Sequence, residues 1–347
     1  MIETGTVRIE INLTGVIMAM QGETPSIYAS AFDASGAPGL PSGPFDPVRH
    51  RTLELGLRSF ATEQAGLALG YVEQLYTFGD RGRHASDRAG EAAHVVSIGY
   101  LALTRTAPGQ VPKSAFHDLY SFFPWEDWRA GRPALIDRDI RPRLIDWART
   151  SADEDHNADR RALSREERVA LLFGFDKRPF DEEKVLERYE LLYEAGLVEE
   201  AHRDGREVEP PPPGHHFGRM MQFDHRRILA TALGRIRAKI KYRPIIFEMM
   251  PPTFTLTDLQ RKVEAISGHH LHKQNFRRLV ETGGMVEATG EQTMTRGRPA
   301  ALFRFRRDVL TERPAPGLRM GRGGGWGEWI NAAKQFSRPP AYARKGI

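Results

Sequence analysis

Two groups of side chains in this sequence could carry chemistry. The first lies in LRSFATEQAGL, residues 57–67, where Glu63 and Gln64 stand side by side just before Gly66. Carboxylates spaced i, i+3 and i+4 share one face of a helix and can hold divalent ions against a pyrophosphate. The stretch has the outline of such a helix but keeps one carboxylate, Glu63, and the nearest replacement acids are Glu54 and Glu73. A single exposed carboxylate neither holds Mg²⁺ firmly nor neutralises a diphosphate, so metal-assisted hydrolysis is not expected. The second group lies in HKQNFRRLV and TRGRPAALFRF. Lys273, Gln274, Arg277 and Arg278 can reach phosphates or base edges, and Asn275 can pair with an adenine edge. Arg296 and Arg298 stand on a turn able to enter a minor groove.

The elements that must position these groups are legible in part. Leu53, Leu57, Phe60 and Ala61 recur at helical spacing, and Gly66 is placed to cap that helix. VRIEINL alternates with period two and TGVIMAM continues it as a buried strand; SIYASAF and VVSIGYLALT read as further strands. GAPGLPSGPFDP is a Gly/Pro loop. IRPRLIDWART, SREERVALLFGF and DEEKVLERYELLYEAGLV are helical, the second with a capping box from Ser164 and Glu167. EVEPPPPGHH should be extended and exposed. FDHRRILATALGRIRAKIKY places Ile228, Ala232, Ile236 and Ile240 on one face. TLTDLQRKVEAISG opens on Thr255 as N-cap, with Asp258 three residues on, and ends at Gly268. KQNFRRLVETG buries Phe276, Leu279 and Val280, and two strand-like pieces follow. Helix, helix, short helix, hairpin is the order of a winged helix-turn-helix, and Thr255 joins the candidates for DNA contact.

Composition bounds the function classes. The chain has 347 residues, 40% hydrophobic and 27% charged, with net charge +5. That is too long for one ordinary domain and suits a soluble protein of two or three. With no cysteine there are no disulfides and no thiolate zinc sites, which fits a cytoplasmic protein. No apolar run is long enough to span a membrane, and no secretory leader is expected. The basic balance favours polyanionic partners.

LPSGPFDP, EQAGL, YVEQLYTFGDRGRH and VVSIGYLALT stand in the order seen in Nudix-like proteins. FDHRRILATALGRIRAKIKY, PPTFTLTDLQRKVEAISG, LHKQNFRRLVETG and GRPAALFRF resemble the C-terminal half of the Nudix-related regulators of NAD metabolism called NrtR. The helical insertion and eroded box resemble the related NadQ regulators. Aligned on Gly66 and Leu67, the Nudix box G-x5-E-x7-R-E-U-x-E-E-x-G-U places its metal positions at Phe60, Glu63 and Gln64 and its arginine at Ser59. Counting back puts Phe45 at the box glycine and Arg51 at the first glutamate; Gly43 serves only if two residues are inserted.

The resemblance implies an α+β protein. A Nudix-like α/β/α sandwich covers 1–137, a helical insertion with a Pro-rich linker 138–216, and a winged helix-turn-helix 217–310. A basic Gly/Pro-rich tail, 311–347, is expected to be mostly disordered, with WGEWINAAKQF as a short docking helix. It also implies a repressor of NAD biosynthesis or salvage genes, a homodimer on a palindromic double-stranded operator. Its effector would be an adenine nucleotide such as ADP-ribose or NAD, with no cofactor required and no membrane partner. By position, Arg81 and Arg83 would meet phosphates, Phe78 would stack, and Glu73 and Gln74 would contact polar ligand groups above a floor containing Glu63. Two other readings compete: an active pyrophosphohydrolase on a nucleotide sugar, and a scaffold whose helical insertion binds another protein.

Overall fold

The computed structural model describes residues 8–29, 31–32, 34, 36–80, 93–105, 115–150, 163–206, 217–294 and 298–312. The expected alternating and buried segments form one long strand, β1 (Arg8–Gln21), at the centre of a sheet. It runs parallel to β7 (Ala93–Leu103), from Arg8 opposite Ala93 to Met18 opposite Leu103. On its other side, its first half pairs with β5 (Ser42–Pro44) and its second half with β2 (Thr24–Tyr28). The β1–β2 hairpin turns at Gly22, whose φ of 65° suits a tight primed turn. With β6 (Val72–Phe78) and β8 (Phe116–Asp118) at the edges, the order is β6-β7-β1-β2-β8. β3 (Ala31–Phe32) and β4 (Pro38–Gly39) form a separate small ladder.

Helix α1 (Leu53–Ala65) covers one face of the sheet. Thr52 caps it by accepting from the Leu55 amide, and Gly66 ends it at φ 63°. Leu57 sits against Gly15, where any Cβ would come within 2.9 Å of Leu57 Cδ1, so a glycine lets the helix approach the strand. Helix α6 (His225–Ile240) covers the other face, with Ile228 pressed on Gly99. The three layers are the expected α/β/α sandwich.

Helices α2 (Arg141–Thr150), α3 (Arg165–Phe173), α4 (Val185–Glu194) and α5 (Glu199–Arg203) form the expected helical stretch. The Ser164–Glu167 capping box starts α3. These helices have no separate core. One apolar cluster runs from Val16 and Met18 in the sheet, through Phe122, Trp125, Phe173 and Leu191, to Ile236, Val263 and Phe276. Helix α6, grouped by sequence with the winged helix, therefore touches the sheet, α4 and the next helix, α7 (Leu256–Ser267), alike.

The C-terminal module follows the expected order. α7 (Leu256–Ser267) begins with the Thr255–Asp258 capping box and stops at Gly268, φ 75°. α8 (Lys273–Gly283) leads into the hairpin β9 (Val286–Met294) and β10 (Pro299–Phe305), and α9 (Val309–Glu312) follows. Phe254 bridges to Phe303, fastening the start of α7 to the wing. WGEWINAAKQF lies outside the described residues.

Candidate functional site

The three positions of the carboxylate box do different work from a metal site. Phe60 turns inward onto Gly43, where a Cβ would come within 2.6 Å of its ring. His50, only 8% exposed, meets the Phe60 ring edge-on at 5.6 Å and lies 6.3 Å from Phe45. This aromatic cluster fills space beneath the box. Gln64 pairs with a backbone: its Nε2 donates to Ser42 O at 2.8 Å and its Oε1 accepts from Ser42 N at 3.1 Å. It staples α1 to β5, a role not foreseen from sequence. Glu63, exposed like Gln64, is the one carboxylate of the three and accepts from the Ser59 hydroxyl at 2.8 Å.

The two possible replacement acids are held elsewhere. Glu54 accepts from Arg58 Nε at 2.9 Å, and Arg58 also donates to Leu69 O. Glu73 points to the α6 side of the sheet, where Lys239 Nζ lies 2.6 Å and Arg235 Nη1 3.2 Å away. Burial opposes the charge on Lys239, but its bonds to Glu73 and Tyr71 outweigh burial and raise its pKa. Among the described residues no group of three or more His, Cys, Asp or Glu is placed to hold a metal.

The four described residues expected around a ligand, Glu63, Glu73, Gln74 and Phe78, are not gathered in one place. Successive strand residues face opposite sides of a sheet. Gln74 accordingly faces the α1 layer, accepting from the Tyr100 hydroxyl at 3.3 Å, while Glu73 faces α6. Phe78 is 5% exposed and lies under the Arg227 guanidinium, 5.3 Å from its ring centre, so it offers no open face for stacking. Arg81 and Arg83 lie outside the described residues.

The cationic group is better assembled. Phe276 and Val280 anchor α8 in the core. Lys273, Gln274, Arg277 and Arg278 are exposed, Asn275 is half-buried, and none has a side-chain partner among the described residues. Arg298 is exposed at the tip of the wing; Arg296 lies outside the described residues. Thr255 must be corrected. It is 5% exposed, and its hydroxyl donates to Asp258 Oδ2 at 2.7 Å and accepts from Asp258 N at 3.1 Å. The cap fully uses that hydroxyl, so Thr255 positions α7 and presents nothing to a base.

Sequence reasoning missed what holds the turn between α7 and α8. Tyr120 OH donates to Ala265 O at 2.7 Å, Arg237 Nε to Ile266 O at 3.0 Å, and Trp128 N to Gly268 O at 2.7 Å. The carbonyls at the end of a helix lack partners within it, and here the segment 120–128 and α6 supply them. Behind them Glu126, fully buried, accepts from Arg188 Nε and from Arg237 Nη1, each at 2.6 Å. Burial alone would raise the Glu126 pKa; Arg188 and Arg237 overcome it and hold the carboxyl below its ordinary range. Within the turn, Glu264 accepts from Leu271 N and Gln260 Nε2, both at 2.8 Å. The sequence signal for the hub is a pair of acids among aromatics in FFPWEDW, with nothing to say that Glu126 is the buried one.

Residues 246–305 match the family model of the NrtR DNA-binding winged helix domain. An Acinetobacter baylyi protein, "ADPR responsive transcriptional repressor NtrR", is 42% identical over 85 residues. That stretch is 24% of this chain and 34% of the relative, so the chain spans about a third of the relative's length in this match. The crystal structure of Shewanella oneidensis NrtR complexed with a 27mer DNA superposes with a TM-score of 0.50 at 17% identity, covering 87% of this chain and 95% of that one. A second crystal structure of Shewanella oneidensis NrtR gives a TM-score of 0.49 at 17% identity, with 87% of this chain and 96% of that one covered. The shared fold is that of a Nudix domain joined to a winged helix.

Proposed function

We propose that this chain is a DNA-binding repressor of NAD biosynthesis or salvage genes whose operator affinity is set by an adenine nucleotide such as ADP-ribose or NAD. One observation carries the reading. A module matching the NrtR DNA-binding winged helix presents Lys273, Gln274, Arg277 and Arg278 from a helix whose opposite face is buried. Donors toward base edges and cations toward phosphates are what a recognition helix requires. Asn275, Arg296 and Arg298 complete the proposed DNA surface. The curated Acinetobacter relative is named as ADPR-responsive, which supports an adenine nucleotide as effector. The chain acts in the cytoplasm as a homodimer on a palindromic site.

The Nudix-like layer serves as a sensor and not as a hydrolase. Phe60 and Gln64 replace two carboxylates, and Glu73 faces the wrong side of the sheet to substitute. Glu63, Gln74, Arg81 and Arg83 remain the proposed ligand contacts. The turn before α8 hangs from residues 120–128 and from α6, which lies on the sensor sheet, so a shift in the sheet reorients the recognition helix. A gel shift with upstream fragments of NAD-pathway genes tests the assignment. No preference over unrelated DNA would sink it. Release of AMP from ADP-ribose and Mg²⁺ at about 1 per second, lost in Glu63→Gln, would restore the hydrolase reading.

A further inference from the structure

A concavity lies between the start of β6, the end of α6 and the base of the wing. Its volume is about 710 Å³, within the range of small-molecule sites. Half-buried Phe305, stacked on the buried Phe247 with centroids 4.4 Å apart, forms an apolar wall with the exposed Pro251 and Pro252. Five cations line it: Arg105, Lys239, Arg243, Arg304 and Arg307. Lys239 is held by Glu73, and Arg304 by Glu287. Arg105 gives one N–H to Phe247 O at 3.3 Å. Arg243 and Arg307 have no carboxylate partner among the described residues. Against these stands one lining acid, Glu248, whose Oε2 would lie 2.7 Å from a Cβ on Gly70.

We propose that this cleft binds a phosphorylated, ring-bearing anion of the nucleoside diphosphate class, with phosphates on Arg243 and Arg307 and the ring against Phe305, Pro251 and Pro252. A flat apolar wall beside a cluster of guanidinium groups matches a molecule with one flat end and one anionic end. DNA phosphates share the charge but not the ring. They are also expected elsewhere: the hairpin pairs Val286 with Phe305 at its base and Met294 with Pro299 at its tip. Counted along β10, which has no bulged residues, at about 3.3 Å per residue the tip lies roughly 20 Å from the cleft. A ligand here would bridge the sheet and the wing, and the inference stands apart from the effector reading above.

The test is isothermal titration of the full chain with cytidine diphosphate and with inorganic tripolyphosphate, probes that lack adenine. One molecule per chain is expected, with cytidine diphosphate the tighter of the two. Arg243→Glu with Arg307→Glu should weaken both probes about tenfold or more, roughly the loss of one good ionic contact, and leave the shift that ADP-ribose causes in operator binding unchanged. Both residues are exposed, so the double variant should fold. Absence of heat from either probe at millimolar concentration overturns the proposal. So does unchanged probe affinity in the double variant. Tripolyphosphate binding as tightly as cytidine diphosphate, with operator affinity falling in the double variant, would assign the cations to DNA instead.

Discussion

Glu126→Gln is the sharpest perturbation of the connection between sensor and recognition helix. The wild-type carboxylate is fully buried and accepts bonds of 2.6 and 2.9 Å from Arg188 and of 2.6 Å from Arg237. The amide keeps the shape but removes the charge, leaving two buried guanidinium groups without their counter-ion. Breaking a buried pair in this way costs about 3–5 kcal/mol. For a chain of this size that amounts to a fall in Tm of roughly 4–7 °C. The control is Glu287→Gln, whose partner Arg304 is 63% exposed, where about 0–1 kcal/mol is expected. The acid limb should differ as well. The Glu126 pKa is depressed in the folded protein, so its contribution is complete above the usual 4.5 and is lost only as pH falls through the lower folded value. Thermal unfolding at neutral pH and on acidification measures both effects. A Glu126→Gln protein within about 1 kcal/mol of wild type would refute the reasoning, because uncompensated buried charge cannot be that cheap.

Other outcomes follow from the same geometry. Arg277→Ala should weaken operator binding by about 1–3 kcal/mol and Arg298→Ala by less, read by fluorescence anisotropy. Operator affinity should fall steeply with salt, with a slope of about −0.9 per phosphate contacted; a flat dependence would exclude the proposed surface. Gly43→Ala should destabilise the fold, because its methyl meets the Phe60 ring, and Phe60→Ala should relieve that penalty in the double variant. Burial chiefly, and then Arg237, lower the pKa of His269, whose ring lies 5.7 Å from Trp128 and 6.1 Å from Phe180. The stability that its neutral ring contributes should be complete above the usual 6.5 and lost as pH falls through the lower folded value. His269→Phe should flatten that step in a melting profile.

Local chemistry was what the sequence made legible. Alternation marked β1, and Thr255, Ser164, Gly66 and Gly268 marked helix ends, because caps and periods act over a few residues. The exposed cations of α8 were legible for the same reason: Phe276 and Val280 fix which face is buried. Long-range pairing was not legible. Nothing in EQ at 73–74 says which residue meets Lys239 and which meets Tyr100, although strand alternation alone puts them on opposite faces. Gln64 was read as a lost carboxylate, yet its amide matches the Ser42 backbone 22 residues away. Glu126 meets Arg188 and Arg237 at separations of 62 and 111 residues, so no window of sequence holds the hub. The helical stretch looked like an insertion because its own pattern is complete; only packing reveals that Phe173 and Leu191 share a core with the sheet and the winged helix.

The central claim is that one molecule reads both DNA and an adenine nucleotide. It is tested most directly by titrating the full chain onto labelled upstream DNA of an NAD-pathway gene, with and without ADP-ribose, at fixed salt. The expected result is saturable, sequence-preferring binding whose midpoint shifts when ADP-ribose is added and no longer shifts in Glu126→Gln. Binding that ignores DNA sequence, or a midpoint that neither ADP-ribose nor NAD moves, would contradict it.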